Sequence, residues 1–233
     1  MDKLRELSLF LPVYNEEANL EKTVKDVIPV LRQIAKKYEL IIVNDGSKDR
    51  SGEIAQNLAR DNPFIRVITH PSNQGYGAAL KSGFYNSQHE WIAFIDADGQ
   101  FDFTEVTKLI EKAKEFDVIV GYRLNRQDSF KRKLFGWGWT TLSKILLGIS
   151  VRDVDCAFKL IKRKVIKTIP PLQSTRGGMI SPELLARAGK AGFKITEVGV
   201  GHFPRGGGKQ TGAGPRVILK SFFELGKLWW QIK

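Results

Sequence analysis

Five short apolar runs, each followed by an amphipathic stretch, set the tightest limit on what this chain can become. Leu7–Val13, Leu40–Asn44, Ile65–Thr69, Trp91–Ile95 and Val118–Gly121 are rich in Val, Ile and Phe. Their apolar character is continuous rather than alternating, as expected of strands covered on both faces. Glu17–Lys37, Ser51–Asp61, Gly75–Ser87 and Phe103–Glu115 carry helical periodicity between them. Strand–helix alternation with short loops predicts an α/β fold with a mostly parallel sheet and helices on both faces. Ligands of such sheets sit beyond the carboxyl ends of the strands. The unusual polar residues fall there.

The chain beyond residue 123 is less regular and differently charged. Residues 1–123 hold 16 Lys+Arg and 19 Asp+Glu, and residues 124–233 hold 21 and 6, so the net +12 divides into −3 and +15. A basic second half points to a polyanionic partner, either a nucleic acid, a membrane surface or another polyanion, with a solvated basic face as the plain alternative. One cysteine, Cys156, excludes an internal disulfide, and the scattered His70, His89 and His202 argue against a His/Cys zinc site. The apolar run near the N-terminus is too short for a signal-peptide core, which places the expected location in the cytoplasm.

Two stretches of the second half have one apolar helical face each. In Ser129–Ser150 the face is Phe135, Trp139, Leu142, Leu146 and Ile149, preceded by Lys131, Arg132 and Lys133. In Pro215–Lys233 it is Ile218, Phe222, Leu225, Trp229 and Ile232. Both read as helices lying in a membrane interface, so 129–150 and 215–233 are expected to make peripheral membrane contact. A core helix packed on the sheet fits the first periodicity equally well.

The sharpest chemical signal is Asp96-Ala97-Asp98-Gly99-Gln100, directly after an apolar run. In extended backbone, residues i and i+2 point the same way, so Asp96, Asp98 and Gln100 project together. Two carboxylates and an amide oxygen are hard ligands suited to Mg2+ or Mn2+, with substrate phosphates completing the shell. An acidic turn capping the next helix through Asp102 is the simpler alternative. An EF-hand fails, because the position that needs glycine is Phe101. Asp45, in Val43-Asn44-Asp45-Gly46, stands at a second strand end, where it can accept hydrogen bonds from a nucleobase edge or merely close its turn. The first strand ends in Pro12-Val13-Tyr14-Asn15-Glu16-Glu17, which offers Tyr14 for stacking and Glu16 for a ribose.

These turns match a family in order. LPVYNEE, VNDGSKDRSGEIA, NQGYGAALKSGF, FIDADGQ and VGYR across residues 7–123, then DVDCAFKLIKR and HFPRGGGKQTGAGPRVI, resemble the family 2 inverting glycosyltransferases. Within them the chain is most similar to the polyprenyl-phosphate sugar synthases typified by dolichyl-phosphate mannose synthase. The resemblance implies a single GT-A domain over 1–233, with a nucleotide-sugar half (1–123) and an acceptor and membrane-facing half (124–233). It implies nucleotide contacts from Pro12, Tyr14, Glu16, Asp45, Asp96 and Ala97, and metal ligation by Asp98 and Gln100 with Asp96 beside them. Arg123, Arg205 and Lys209 match basic residues around the donor diphosphate and acceptor phosphate. Tyr76 stands where many members carry lysine. Gly75, Gly77 and Gly83 match a Gly-rich segment that tight strand–helix packing explains equally well.

Transfer of one hexose from GDP-mannose or UDP-glucose to a polyprenyl phosphate at the cytoplasmic membrane face is the expected activity, with mannose first. A phosphate monoester has a second pKa of about 6 and is already an anionic nucleophile. A sugar-hydroxyl acceptor would instead need a general base, for which Asp155 and Glu183 are the candidates. The Gln-x-x-Arg-Trp signature of processive polysaccharide synthases is absent from the sequence. A nucleic-acid module ranks low, because Asp45, Asp96 and Asp98 would repel phosphates without a metal. A membrane-binding protein without catalysis is the remaining rival.

Overall fold

The computed structural model describes residues 3–125, 130–175, 177–208 and 215–232, with the side chains of 130–133, 135 and 215–223 outside the description. Seven strands, β1 (Leu4–Val13), β2 (Ala35–Asn44), β3 (Ile65–Thr69), β4 (Trp91–Phe94), β5 (Val118–Leu124), β6 (Lys159–Lys162) and β7 (Ile195–Gly201), form one sheet. Its order is β3-β2-β1-β4-β6-β5-β7. All neighbours are parallel except β6, which runs antiparallel to β4 and β5. The sheet draws strands from both the acidic and the basic part of the chain.

The period-two geometry of the strands sorts their apolar residues into two layers. Leu7, Leu9, Leu11, Leu40, Ile42, Trp91 and Ala93 face one core, shared with α1 (Leu20–Ile34), α2 (Ser51–Asp61) and α4 (Val106–Ile110). Phe10, Ile41, Val43, Ile92 and Phe94 face the other, shared with α3 (Tyr76–Asn86), α5 (Phe130–Leu147), α6 (Arg163–Thr168), α7 (Ile180–Lys190) and α8 (Pro215–Ile232). A strand that feeds two cores has little polar face to show, which is why the runs are mainly apolar, interrupted within them only by Ser8 of β1 and Arg66 of β3. Gly83 lets α3 close on β1, since a Cβ there would lie 2.3 Å from the Phe10 ring. Gly77 likewise packs on the backbone of Ser174 and Thr175. These glycines serve packing.

Several sequence expectations need correction. The helix expected through Lys37 ends at Ile34, and Ala35–Tyr38 instead extends β2 alongside β1, with Leu4 opposite Ala35. Pairing overrides the helix propensity of Ala-Lys-Lys. The helix expected over Phe103–Glu115 is a 3-10 turn at Phe103–Glu105 followed by only five α-helical residues. β6 and β7 carried no strand signal, because β6 is four residues long and only Val200 of β7 is fully buried.

The two amphipathic stretches are helices, and the described residues of their periodic faces turn inward, while the side chains of Phe135, Ile218 and Phe222 lie outside the described residues. Trp139, Leu142 and Leu146 of α5 pack on the second core with Leu147 and Ile149 behind them, as do Leu225, Leu228, Trp229 and Ile232 of α8. The described part of the face assigned to the membrane therefore belongs to the core. What remains outside is a different stripe, Leu134, Trp137 and Ile145 on α5, exposed by 56%, 67% and 74%, and Trp230 on α8, exposed by 80%. No helix among the described residues is long and apolar enough to cross a membrane.

Candidate active site

The sheet order reverses between β1 and β4, and the turns that follow β1, β2 and β4 open at this switch point. β5 and β7 end at the same edge. Because β6 is antiparallel, the segment that precedes it, Asp153–Phe158, joins them there. The geometry brings Glu16, Asp45, Asp96, Asp98, Gln100, Arg123, Asp155 and Arg205 to one side of the sheet. Lys209 lies outside the described residues.

The turns after β1 and β2 are stitched together. Asn15 N–H donates to Ser47 Oγ at 3.0 Å, Lys48 N–H to Asn15 Oδ1 at 2.8 Å and Glu16 N–H to Ser51 Oγ at 2.8 Å. Asp49 accepts from Ser51 N at 3.0 Å and from Glu17 N at 3.1 Å, which ties the start of α2 to the β1 turn. Asn15 adopts a left-handed φ of 57° to make the corner. Pro12 is a buried β1 residue opposite Val43, and Tyr14 is half-buried beyond it.

Asp45 is 2% exposed, and its carboxylate is heavily engaged. Oδ1 accepts from His70 Nδ1 at 2.6 Å and Gln74 N at 2.9 Å, and Oδ2 accepts from Gly75 N at 2.8 Å. His70 Nε2 meets Ser82 Oγ at 2.8 Å, which anchors the ring from its other side. Asp45 thus clamps the 70–75 segment over the β2 turn, and a nucleobase reaching it meets a carboxylate already holding three donors. His70 is a site residue that the sequence reading passed over, since no spacing links it to Asp45.

The turn after β4 is built differently. Tyr76 Oη donates to Asp96 Oδ1 at 2.9 Å. Burial and the neighbouring Asp98 charge push the Asp96 carboxyl up to about 7, and the Tyr76 hydrogen bond opposes them. The lysine-to-tyrosine departure thus places a neutral donor on this acid. Ala97 is buried, and its carbonyl accepts from Thr23 Oγ1 at 3.3 Å. Asp98 accepts from Gln100 N at 3.1 Å and from Arg205 Nη1 at 3.0 Å. Arg205 also donates through Nη2 to Glu16 Oε1 and through Nε to the Gly207 carbonyl. Burial raises the Glu16 pKa despite this partner. Gln100 and Phe203 exchange two hydrogen bonds, Nε2 to O at 3.1 Å and N to O at 3.0 Å. The segment around Arg205 is thereby laced to the residues expected to ligate a metal.

Does this turn fit a divalent cation? No group of three or more His, Cys, Asp or Glu converges among the described residues, so a protein-only cage is not formed. Two carboxylates whose charges oppose one another, with an amide oxygen two residues on, are the hard and incomplete set that Mg2+ or Mn2+ takes when substrate phosphates supply the rest. Asp96, Asp98 and Gln100 fit that description.

The remaining expectations divide. Arg123 is gripped by Asp153, Nε to Oδ2 at 2.6 Å and Nη2 to Oδ1 at 2.8 Å. Burial works against its charge, and this bidentate pair outweighs it, so its pKa rises. Asp155 sits two residues on. Burial, then Asp153, push its carboxyl up to about 6, while Arg123, Lys159 and the Trp139 indole pull it back. Lys159 is fully buried and donates to the Val154 carbonyl at 3.3 Å, the Cys156 carbonyl and Ser181 Oγ at 3.2 Å. Glu183, the other candidate base, is engaged in the fold. Its carboxylate is 0% exposed and accepts from Gln173 N at 2.9 Å, Ser174 N at 2.8 Å and Arg187 Nε at 2.9 Å. It ties down the 173–174 backbone.

Comparison with known proteins supplies a family and a fold. A dolichyl-phosphate beta-glucosyltransferase of Trichomonas vaginalis is 34% identical over 209 residues, 83% of this chain and 64% of the relative. An undecaprenyl-phosphate 4-deoxy-4-formamido-L-arabinose transferase of Pectobacterium carotovorum is 33% identical over 172 residues, 72% of this chain and 52% of the relative. The chain therefore spans between half and two thirds of the length of these relatives. The crystal structure of glucosyl-3-phosphoglycerate synthase from Mycobacterium tuberculosis with UDP superposes with a TM-score of 0.70 at 20% identity, over 97% of this chain and 80% of that one. The same enzyme with Mn2+, UDP and glucosyl-3-phosphoglycerate gives 0.66 at 21% identity, over 98% of this chain and 77% of that one. At such identity the likeness speaks for the fold, which is GT-A. The model of the glycosyl transferase family 2 domain matches residues 8–169, from β1 to the end of α6, and the chain belongs to that family.

Proposed function

We propose that the chain transfers a single hexose from a nucleotide sugar to a polyprenyl phosphate at a membrane surface, with inversion and with a divalent cation. The carrying observation is the Asp96–Gln100 turn at the sheet's switch point, with Arg205 laid across Asp98 and Glu16. The sequence alone put mannose before glucose. The glucosyltransferase relative reverses that order, so UDP-glucose is the first donor to test and GDP-mannose the second.

The chemistry follows from which groups are available. Displacement at the anomeric carbon builds charge on the leaving diphosphate, and a cation on Asp98 and Gln100 supplies Lewis-acid stabilisation when bound. Arg205 and Arg123 bring positive charge to the same edge, their forks held by Glu16, Asp98 and Asp153 until phosphate oxygens compete for them. Glu183 is committed to backbone N–H groups, and a phosphate acceptor needs no base to take its proton. Acceptor phosphate and protein cations are thus matched in charge. The exposed Leu134, Trp137, Ile145 and Trp230 would seat in the headgroup region of a bilayer beside the lipid. We place that contact at the cytoplasmic face.

Calorimetric titration of UDP and GDP with and without Mn2+, followed by transfer of radiolabelled hexose to a polyprenyl phosphate, tests the reading. Mn2+-dependent binding of one nucleotide and labelled lipid product support it. Binding of neither nucleotide, or Asp98→Ala with undiminished transfer, sinks it. Co-sedimentation with anionic liposomes, lost in a Trp137→Ser, Trp230→Ser double variant, tests the membrane contact separately.

A further inference from the structure

A phosphate acceptor leaves one acid of this site without a role. The Asp155 Oδ1 atom is buried and accepts no hydrogen bond from any described residue. Natural structures rarely leave such an atom unpaired, and a bound ligand is one of the standard explanations. The oxygen faces Gly178, where an added Cβ would lie 3.1 Å from it. The carboxylate acts electrostatically on the Tyr76 hydroxyl, which holds Asp96, and on the Arg123 guanidinium. It is thus within electrostatic reach both of the turn proposed to hold a metal and of a basic group at the same sheet edge.

Its surroundings define what it can take. Asp153, two residues away, is saturated by Arg123, whereas Lys159 holds the Val154 and Cys156 carbonyls on either side of Asp155. The turn is fixed and cannot swing its acid away. A second phosphate is excluded, because it brings negative charge and no donors at neutral pH. The fitting ligand is neutral and rich in hydroxyl donors. The Trp139 indole is near enough to the same carboxylate to lower its pKa, which gives the spot a donor group as well as an acceptor, the pairing that vicinal sugar hydroxyls complement.

We propose that Asp155 is a specificity-determining contact for the hexose being transferred, its Oδ1 accepting from a sugar hydroxyl while the Trp139 indole orders the other side. The assignment rests on the proposed glycosyl transfer and deepens it by placing the sugar near Asp96 and Arg123. A site built to hydrogen-bond a hydroxyl discriminates strongly, because its own buried groups go unpaired with the wrong ligand.

The test is the binding increment that the sugar adds to the nucleotide. UDP and UDP-glucose are titrated calorimetrically in Mn2+ against the full chain, with GDP and GDP-mannose as the parallel pair. In Asp155→Asn the affinity for the free nucleotide stays within about twofold, while the nucleotide sugar weakens by about 10- to 100-fold. Trp139→Phe keeps the ring packing, loses the N–H, and shows a smaller loss of about fivefold in the same increment. It also decides the matter if Asp155→Asn does not fold. An unchanged increment in folded variants overturns the proposal. So does equal weakening of nucleotide and nucleotide sugar, which marks a structural role, or lost turnover with the increment intact, which makes Asp155 a base. Binding of neither nucleotide by the parent protein would overturn the glycosyl-transfer reading and this one with it.

Discussion

The turns after β2 and β4 both present aspartates at the ligand edge, yet they are satisfied in opposite ways. Asp45 is surrounded by fixed, nearly neutral donors, a ring nitrogen and two backbone N–H groups. Asp96 and Asp98 crowd each other, and their partners are a tyrosine hydroxyl and an arginine reaching in from beyond β7. An acid held by backbone donors is finished architecture. An acid such as Asp96, whose proton affinity a neighbouring carboxylate raises, keeps a demand for positive charge, which a cation can meet. The contrast separates the residue that shapes the proposed nucleotide cleft from the residues proposed to load it.

Four substitutions break or sharpen this contrast, from the largest effect down. Asp98→Ala removes a charge-stabilising ligand and should slow hexose transfer by about 10²- to 10³-fold in a steady-state assay, with the melting temperature preserved. Asp45→Ala should act on the fold instead. It strands three donors, so urea or thermal unfolding should show a loss of about 3 kcal/mol, equivalent to about 6–12 °C.

Asp96→Asn should carry the opposite sign. The Asp96 carboxyl is pushed up to about 7 in the folded chain against an ordinary value of 3.8. Between those pH values the folded state holds a proton that the unfolded state has released, so stability of the metal-free protein falls as pH rises through the window. The amide still accepts from Tyr76 and carries no charge. The variant should therefore melt higher than its parent above pH 7, with the difference vanishing below about pH 4. His70→Asn is the mildest of the four. It removes one of three donors to Asp45 and should lower stability by about 1 kcal/mol in the same melts.

The sequence displayed some of this plainly and concealed the rest for identifiable reasons. The Asp96–Gln100 turn was legible because a buried strand ends directly before it and alternation puts its ligands on one side. Asp153 and Asp155 repeat the same two-residue spacing, but the strand they adjoin follows them, so only Asp155 drew notice. The Arg205 pairing with Glu16 and Asp98 spans 189 and 107 residues, a separation no local pattern encodes. For α5 and α8, periodicity revealed an apolar face without saying which medium covers it. The core claimed that face, and the exposed residues lie between the periodic positions. Glu183 resembled a reactive acid because first-turn helix position and chemistry look alike until the backbone N–H groups of Gln173 and Ser174 are seen upon it.

β6 has one more effect on the molecule. Its first residue, Lys159, pairs with Phe94, the last residue of β4. Asp96 leaves the sheet two residues beyond that rung, and Asp155 arrives four residues before it. Two loops distant in sequence are thus spaced by a backbone ladder, as graduations on a ruler are spaced by the ruler. Slipping the pairing by one residue would turn Lys159 out of the core and spoil the spacing at once. Side chains on either loop can change over evolutionary time without altering the distance between them, so new sugars or acceptors can be tried at this edge while its dimensions persist.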